Sequence, residues 1–174
     1  MRKAHDIIGL PIIEISGGTQ LGIVKDLVIG ERLALTHIVV ETKQWFSSPK
    51  GIPEPHLLSV GPHAVTVQDE EAIMALELPA GSSMLLDGGS KLKGLPVMTV
   101  NGQRLGFLQD VYFEEIMGKP ITGYELSDGF ISDLTEGRKW LPAPGQITVG
   151  TDAIIVPLHS EQHLKEIDMS IKPI

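Results

Sequence analysis

The sequence predicts an all-β protein built from two tandem, small antiparallel β-barrels, with short helical segments in the linker and the C-terminal tail. Two observations lead to this fold class. The 174 residues contain an internal repeat, and each copy consists of short apolar, β-branched runs separated by turn residues. Glycine and proline supply 19 and 12 residues respectively, so the chain must turn often.

The repeat is carried by three matching segments. These are a Gly-Leu-Pro tripeptide followed by an apolar strand, a Leu-Gly-x-x-x-Asp pattern after a turn, and a closing segment that begins with Val-Gly. In the two copies they lie at 9–11 and 94–96, at 21–26 and 105–110, and at 60–67 and 149–156. Between the second and third segments the register continues to Glu41 and Glu125. Since order, turns and apolar positions agree, we interpret the chain as a duplication.

Each copy is predicted to contain five or six short strands. The first two form a hairpin, and its turn in the second copy is Asn101-Gly102, because both residues tolerate the positive φ of a type I′ turn. Gly22 and Gly106 lie within the second strand, where glycine indicates a bulge, a sharp bend or the close approach of another backbone. Short strands in this number fit a partly open barrel, since closure hides strand edges. The later strands are expected over 36–42, 57–58 and 64–67 in the first copy, and over 122–127, near 147 and over 153–156 in the second.

The predicted domains are a first barrel with a short helix at 1–78, a linker at 79–90, and a second barrel with the C-terminal tail at 91–174. The short helix is expected over 69–76, where Asp69 is a suitable N-cap and two glutamates follow it. Residues 84–86 are expected to form a brief edge strand, and residues 159–167 to form one or two helical turns.

Charge and composition exclude several classes of protein. The formal net charge is −8, with 14 Lys and Arg against 22 Asp and Glu, which argues against binding to the phosphate backbone of DNA. The absence of cysteine excludes disulfides, thiolate chemistry and Cys-ligated metal sites. No signal peptide or membrane-spanning segment is visible, so a cytoplasmic location is expected.

The repeated pattern resembles the PRC-barrel family. The resemblance rests on Gly-Leu-Pro, the apolar strand, the glycine turn, Leu-Gly-x-x-x-Asp and the closing Val-Gly strand, which occur twice, over 9–67 and 94–156. It covers about 120 of the 174 residues. The resemblance implies a small antiparallel barrel of five or six strands in each copy.

The family includes the cytoplasmic domain of the photosynthetic reaction-centre H subunit, the C-terminal domain of a ribosome maturation factor, and stand-alone bacterial proteins with one or two barrels. This sequence lacks the transmembrane helix of the first and the separate N-terminal barrel of the second. It therefore resembles the stand-alone tandem type, and this resemblance implies a non-catalytic adaptor without a cofactor.

Two sets of side chains are candidates for chemistry, but the sequence predicts no catalytic, cofactor-binding or metal site. Asp26 and Asp110 occupy equivalent places, and paired carboxylates catalyse acid–base reactions at separations of about 5–9 Å. Duplication explains this pairing without any proximity, so each is expected to cap a turn or to bond backbone amides at the barrel end. His159 and His163 have the spacing of one helical face, but a structural zinc site usually requires four ligands, so a solvated tail is favoured.

The candidate partner-binding residues are four aromatic side chains in two predicted loops. Trp45 and Phe46 lie in the loop of the first copy, and Phe130 and Trp140 lie in the equivalent loop, 128–144, of the second. Exposed tryptophan and phenylalanine side chains often anchor a partner protein. The alternative, favoured for at least half of them, is that these rings plug the open ends of their own barrels.

The sequence therefore predicts a non-catalytic protein-interaction or adaptor protein, with a protein partner of unknown identity and homodimer formation left open. The first alternative is an RNA- or ribosome-associated maturation or assembly factor. It rests on a fold-level analogy and on the cluster Arg138-Lys139-Trp140, which offers charge and stacking. The second alternative is a hydrolase that uses Asp26 and Asp110.

Overall fold

The computed structural model describes residues 1–44, 48–114 and 120–167. It is mostly β-structure, arranged as two curled sheets of eight strands each, one for each repeat. In chain order the strands are β1 (Arg2–Lys3), β2 (Pro11–Glu14), β3 (Gln20–Ile29), β4 (Leu35–Glu41), β5 (Lys50–Pro53), β6 (Leu57–Val60), β7 (Val65–Val67), β8 (Met74–Ala75), β9 (Ser83–Met84), β10 (Pro96–Thr99), β11 (Arg104–Phe113), β12 (Ile121–Ser127), β13 (Arg138–Pro142), β14 (Thr148–Val149), β15 (Ile154–Val156) and β16 (Lys165–Ile167).

The two sheets have the same strand order, which confirms the prediction of two tandem β-barrels. The order is β6-β7-β2-β3-β4-β5-β8 in the first sheet and β14-β15-β10-β11-β12-β13-β16 in the second. Each sheet has one parallel pair, β2 with β7 and β10 with β15, and its other neighbours are antiparallel. A further two-residue strand pairs with the long central strand of each sheet, β9 with β3 and β1 with β11.

Helical structure is short, as predicted, but it differs from the prediction after the first barrel. The helix expected over 69–76 is wrong beyond Ala72, because β8 follows at once and completes the free edge of β5. Asp69 does cap this turn, since its Oδ1 accepts a hydrogen bond of 3.0 Å from the Glu71 amide. Among the described residues, no helix has the length and apolar character that crossing a membrane requires. The helix α1 covers Phe130–Thr135, and short 3-10 helices cover Ala4–Asp6, Glu54–His56, Glu70–Ala72 and Leu158–His163.

The glycine in the second strand of each barrel permits a close approach of two backbones, which is one of the three alternatives that the sequence leaves open. A Cβ atom on Gly22 would lie 2.5 Å from the carbonyl oxygen of Glu41 on β4. At Gly106 the corresponding distance to the Ser127 oxygen on β12 is 3.1 Å. A larger residue at either position would push apart the two longest strands of its sheet.

The hydrophobic core is continuous through both repeats. Besides residues of the long strands, it contains Ile7, Leu85 and Leu92, which belong to the segments that precede the two barrels. Ile7 is 0 % exposed and Leu92 is 3 % exposed. Full burial of an aliphatic side chain stabilises a fold by roughly 1.5–3 kcal/mol, so these leading segments contribute substantially to the common core.

The leading segment of each repeat is built into the barrel of the other repeat. Residues 2–7 precede the first barrel, yet their strand β1 pairs with β11 of the second. Residues 83–92, which include most of the segment predicted as a linker, precede the second barrel, and their strand β9 pairs with β3 of the first. Ala34 also forms a bridge with its repeat equivalent, Pro120. The two repeats are therefore related by an approximate two-fold axis and exchange their leading strands.

Strand pairing corrects the alignment of the repeats beyond the two aspartates. Asp26 lies opposite Val39 on β4, whereas Asp110 lies opposite Glu125 on β12. Glu125 therefore corresponds to Val39 and not to Glu41. The cause is the connection between β11 and β12, which has seven residues where that between β3 and β4 has five.

Candidate functional site

The two equivalent aspartates hold the exchanged segments in place. Asp26 is fully buried, and its carboxylate accepts hydrogen bonds from the amides of Leu86 (3.1 Å) and Asp87 (3.0 Å) in the leading segment of the second repeat. Asp110 is 6 % exposed and accepts a hydrogen bond of 3.3 Å from the amide of His5 in the leading segment of the first repeat. Each carboxylate thus fastens the strand that the other repeat supplies.

These hydrogen bonds confirm the expectation that the two aspartates bond backbone amides. Each also accepts a hydrogen bond from the amide of the next residue on its own strand. Burial raises the pKa of both Asp26 and Asp110 above the ordinary value, while the amide hydrogen bonds act in the opposite direction. The two aspartates lie in different sheets. Because each binds the leading segment of the other repeat, each has an architectural role.

A second polar cluster lies on the face of the second sheet that includes Asp110. Residues directly opposite each other on neighbouring strands place their side chains on the same face. The register places Asp110 opposite Glu125, Glu125 opposite Trp140, and Trp140 opposite Lys165. These four residues form one row across β11, β12, β13 and β16.

Three further side chains extend this row. Lys3 on β1 lies opposite Tyr112 on β11, in the neighbouring row. Arg138 precedes Trp140 by two residues on β13 and therefore shares its face. We refer to the following six residues as the charged face: Lys3, Tyr112, Glu125, Arg138, Trp140 and Lys165.

Glu125 is the centre of the charged face, and its side chain is 1 % exposed. Its Oε2 lies 2.6 Å from Nζ of Lys3 and accepts a hydrogen bond of 2.8 Å from the Tyr112 hydroxyl. Its Oε1 forms an ion pair with Nη1 of Arg138. Burial alone would raise the pKa of Glu125, but hydrogen bonds from Lys3, Arg138 and Tyr112 lower it below the ordinary value. The carboxylate is therefore charged at neutral pH.

Arg138 is held by two carboxylates. Its Nη1 faces Glu125, and its Nε lies 3.4 Å from Oδ2 of Asp133 on α1. The same Asp133 oxygen accepts a hydrogen bond of 2.7 Å from the Ser127 hydroxyl, whose oxygen accepts one of 3.0 Å from the Gly129 amide. This chain of contacts fixes α1 against the end of β12. The hydrogen bond to Glu125 raises the pKa of Arg138, which keeps the guanidinium charged.

The equivalent positions of the first repeat are apolar apart from the shared aspartate. Val28 and Val39, which replace Tyr112 and Glu125, are both buried. The barrel architecture therefore forms with an apolar set at these positions and does not itself require the charges. By register, the row Asp26, Val39, Gly51, Met74 corresponds to Asp110, Glu125, Trp140, Lys165, and the pair Met84, Val28 corresponds to Lys3, Tyr112.

The structure describes the four candidate aromatic residues to different extents. Trp45 and Phe46 lie outside the described residues. Phe130 is described only as the first residue of α1, without its side chain. Trp140 is half-buried, and its indole covers Gly123, where an added Cβ would lie 2.3 Å from the indole Nε1.

Trp140 belongs to a strand and not to the predicted loop over 128–144. Residues 138–142 form β13, because they complete the edge of β12 on one side and pair with β16 on the other. This position brings Trp140 beside Glu125 and Lys165, which the sequence analysis does not anticipate. Of the four candidates, Trp140 is the one that the structure places within the charged face.

The cluster Arg138-Lys139-Trp140 does not form a continuous basic surface. Successive residues of a strand point to opposite faces, so Lys139 lies on the other side of β13 from its two neighbours. Lys139 pairs with Asp128 there, while Arg138 pairs with Glu125. Each of the two cations therefore already has a carboxylate partner.

The paired histidines lie on the short 3-10 helix that follows β15. The rings of His159 and His163 are edge to face, with their centroids 6.0 Å apart. Glu161 between them accepts a hydrogen bond of 2.7 Å from the Gln103 side chain. Within residues 1–44, 48–114 and 120–167, no three His, Asp or Glu side chains are grouped as metal ligands.

An open cleft of about 700 Å³ lies between the two repeats, beside the turn that joins β3 and β4. Val100 and Leu158 in its lining are 67 % and 54 % exposed. Its charged lining residues, Glu31 and Arg32, are also exposed. A ligand site usually has convergent polar groups within an enclosed apolar pocket, and this open cleft with exposed lining residues does not match that description.

Comparisons with known proteins agree with this architecture. The family model of the PRC-barrel domain matches residues 1–74 and 86–163. The chain is also similar to Uncharacterized protein YrrD of Bacillus subtilis (strain 168), with 26 % identity over 161 residues. That alignment covers 90 % of this chain and 87 % of the relative. Because the family model matches most of the chain in two segments, one for each sheet, the chain belongs to the PRC-barrel family and contains two copies of its domain.

Proposed function

We propose that this chain is a non-catalytic adaptor that binds a partner protein through the charged face of its second barrel. The observation that carries the proposal is the difference between the two repeats. The first barrel has apolar residues at the positions where the second barrel has Lys3, Tyr112 and Glu125. Charged groups in a protein interior cost free energy unless they are well paired. Their presence in one copy of a duplicated fold points to a role outside folding.

The composition of the charged face supports a protein contact. Tryptophan, tyrosine and arginine are enriched among the residues that dominate binding energy at interfaces. Here these side chains are already held by neighbours: Nζ of Lys165 lies 5.7 Å from the centroid of the Trp140 ring, and Nζ of Lys3 lies 5.5 Å from that of Tyr112. Side chains that are fixed in advance lose less conformational entropy on binding.

Acid–base catalysis by Asp26 and Asp110 has weaker support. Both carboxylates are buried, and their oxygens accept hydrogen bonds from main-chain amides of the exchanged segments. A catalytic acid or base must be within hydrogen-bonding distance of its substrate. The hydrogen bonds to the exchanged segments already account for the presence of both aspartates. We therefore propose a non-catalytic function.

The RNA-associated alternative also has weaker support. Binding to a phosphate backbone depends on clustered cations, whereas Arg138 and Lys139 are successive residues that face opposite sides of β13 and so do not form a cluster. The formal net charge of −8 would oppose the approach of a polyanion.

Affinity purification of the full-length protein from its native host, after cross-linking, tests the proposed function. Two variants, Trp140→Ala and Lys165→Glu, alter the charged face, and Lys139→Glu alters a lysine on the opposite face of β13. We expect one partner protein that the wild type and Lys139→Glu retain and that the other two variants lose. Retention of every partner by Lys165→Glu would show that the charged face is not the contact surface. Loss of the partner after ribonuclease treatment would favour the RNA-associated alternative.

A further inference from the structure

The carboxylates in and beside the charged face are buried, whereas its cations are partly or fully exposed. Glu125 is 1 % exposed and Asp110 is 6 % exposed. The side chains of Lys3 and Arg138 are 27 % and 35 % exposed, and Lys165 is also exposed. A molecule that approaches this face therefore meets ammonium and guanidinium groups first, although the chain as a whole is acidic.

Arg138 is oriented for a further hydrogen-bond acceptor. Glu125 holds its Nη1 and Asp133 holds its Nε, so the planar guanidinium is fixed before any partner arrives. Its remaining nitrogen, Nη2, donates to no residue in the described part of the chain. Guanidinium groups form their strongest hydrogen bonds with carboxylates and phosphates. A fixed and half-exposed guanidinium with a free Nη2–H donor is therefore suited to bind an anion.

On the basis of the proposed function, we infer that the charged face binds a carboxylate from an acidic segment of the partner protein. Arg138 is the main ligand, and Lys3 and Lys165 are the neighbouring cations. Glu125 and Asp133 act as positioning residues, because they orient Arg138 without facing the partner. The Trp140 ring supplies an apolar surface for the chain that carries the carboxylate.

A protein carboxylate fits this face better than a nucleic-acid phosphate. Both halves of the chain are acidic: residues 1–85 contain 6 Lys and Arg against 10 Asp and Glu, and the remainder contains 8 against 12. A polyanion would be repelled by this charge along its whole length, whereas a segment with a few carboxylates among apolar residues meets the cations of one small surface. The difference between the repeats also gives selectivity, since the first repeat presents Met74 and Met84 at the positions of Lys165 and Lys3.

The inference is tested by the fluorescence anisotropy of a labelled peptide, Gly-Leu-Asp-Glu-Leu-Asp-Glu-Leu-Gly, with the full-length protein. A matched peptide has Asn and Gln in place of Asp and Glu, and a single-stranded oligouridine of equal length is the RNA probe. The protein variants are Arg138→Gln, Lys165→Glu and the control Lys139→Gln. Lys139 carries the same charge on the same strand, but on the opposite face, so it reports on non-specific attraction.

We expect the acidic peptide to bind the wild type, and Arg138→Gln to weaken binding about tenfold, since a charge-assisted hydrogen bond is lost. Lys165→Glu leaves the Glu125 network intact and is expected to weaken binding by a similar factor. Lys139→Gln should stay within about twofold of the wild type. Unfolding curves of each variant show whether a loss of binding reflects a loss of fold, and Lys165→Glu keeps the test decisive if Arg138→Gln is unstable.

Any of four results would overturn the inference. The first three are equal binding of the neutral peptide, equal weakening by Arg138→Gln and Lys139→Gln, and tighter binding of the oligouridine. The fourth is failure of the peptide to bind. If the peptide fails while the partner purified from the host still requires the charged face, the carboxylate chemistry is wrong and the adaptor function stands. If no partner requires that face, the proposed function is wrong as well.

Discussion

Substituting residues of the charged face by their equivalents in the first barrel tests whether the charges are required for the stability of the fold. Glu125→Val introduces the residue found at the equivalent position of the first barrel, Val39, which is 5 % exposed, but the neighbouring Lys3 and Arg138 lose their shared carboxylate. Breaking a buried ion pair costs about 3–5 kcal/mol, and an exposed pair contributes about 0–1 kcal/mol. Lys3 and Arg138 are 27 % and 35 % exposed, so each regains part of its hydration. We therefore expect an intermediate loss of about 2 kcal/mol.

The triple variant Lys3→Met, Tyr112→Val, Glu125→Val replaces Glu125 and its partners Lys3 and Tyr112 by the residues that occupy these positions in the first barrel. Arg138 keeps its contact with Asp133 and its partial exposure. Replacing a buried polar cluster by apolar residues of suitable size is often neutral or stabilising. We expect the triple variant to lie within about 1 kcal/mol of the wild type and to be more stable than Glu125→Val.

Thermal and urea unfolding at neutral pH measure both effects. For a chain of this length, 1 kcal/mol corresponds to about 2–4 °C in Tm, so Glu125→Val should melt roughly 4–8 °C below the wild type. An unchanged Tm would show that the carboxylate does not hold the two cations. A triple variant less stable than Glu125→Val would show that the second barrel needs its charges, and would refute the inference drawn from the difference between the repeats.

Three further predictions follow from the same contacts. Asp26→Ala should speed hydrogen exchange in residues 83–92, and Asp110→Ala should do so in residues 2–7. Each variant removes the carboxylate that accepts hydrogen bonds from the segment that the other repeat supplies. Equal acceleration of both segments by one variant would show that neither aspartate holds its segment locally. Ile7→Ala should cost about 2–5 kcal/mol in urea unfolding, since it leaves a cavity in the shared core, and a loss under 1 kcal/mol would show that the exchanged segment adds little. Because the pKa of Glu125 is lowered, its carboxylate stabilises the fold at pH values above the ordinary pKa of 4.5, and this contribution is lost as the pH falls through the lowered pKa. The difference in the free energy of unfolding between wild type and Glu125→Gln should therefore be constant at neutral pH and shrink in acid. A difference independent of pH would contradict the lowered pKa.

Local chemistry in the sequence was sufficient to predict the repeated barrels. Gly22 and Gly106 indicate close backbone contacts because a side chain has no room there, and this depends only on the neighbouring strand. Asp26 and Asp110 indicate amide acceptors because a short carboxylate at a strand bend bonds nearby main chain. The strand contacts of Gly22 and Gly106 belong to one hairpin, so they can be deduced without knowing the rest of the fold. The amides of Leu86, Asp87 and His5 that the aspartates bind come from distant segments, and the sequence does not identify them.

The charged face is a different case, because its six residues come from five strands and from both ends of the chain. Its signal in the sequence is visible only with the correct alignment, in which Leu35-Thr36 corresponds to Ile121-Thr122 and Glu125 replaces a valine. The two extra residues in the β11–β12 connection hide this correspondence. No local pattern shows that Lys3, near the N-terminus, pairs with a strand more than a hundred residues away.

The exchange of leading strands links the assembly of the protein to its proposed binding site. Lys3 reaches Glu125 because β1 crosses from the first repeat to β11, and the amide of His5 is fastened by Asp110 in the same segment. In the first barrel the equivalent segment is supplied by the second repeat and places Met84 where the second barrel has Lys3. The second barrel therefore obtains Lys3, one of the six residues of its charged face, from the first repeat. Strand exchange in this duplicated chain therefore makes the two barrels differ, because each barrel includes a strand of the other repeat.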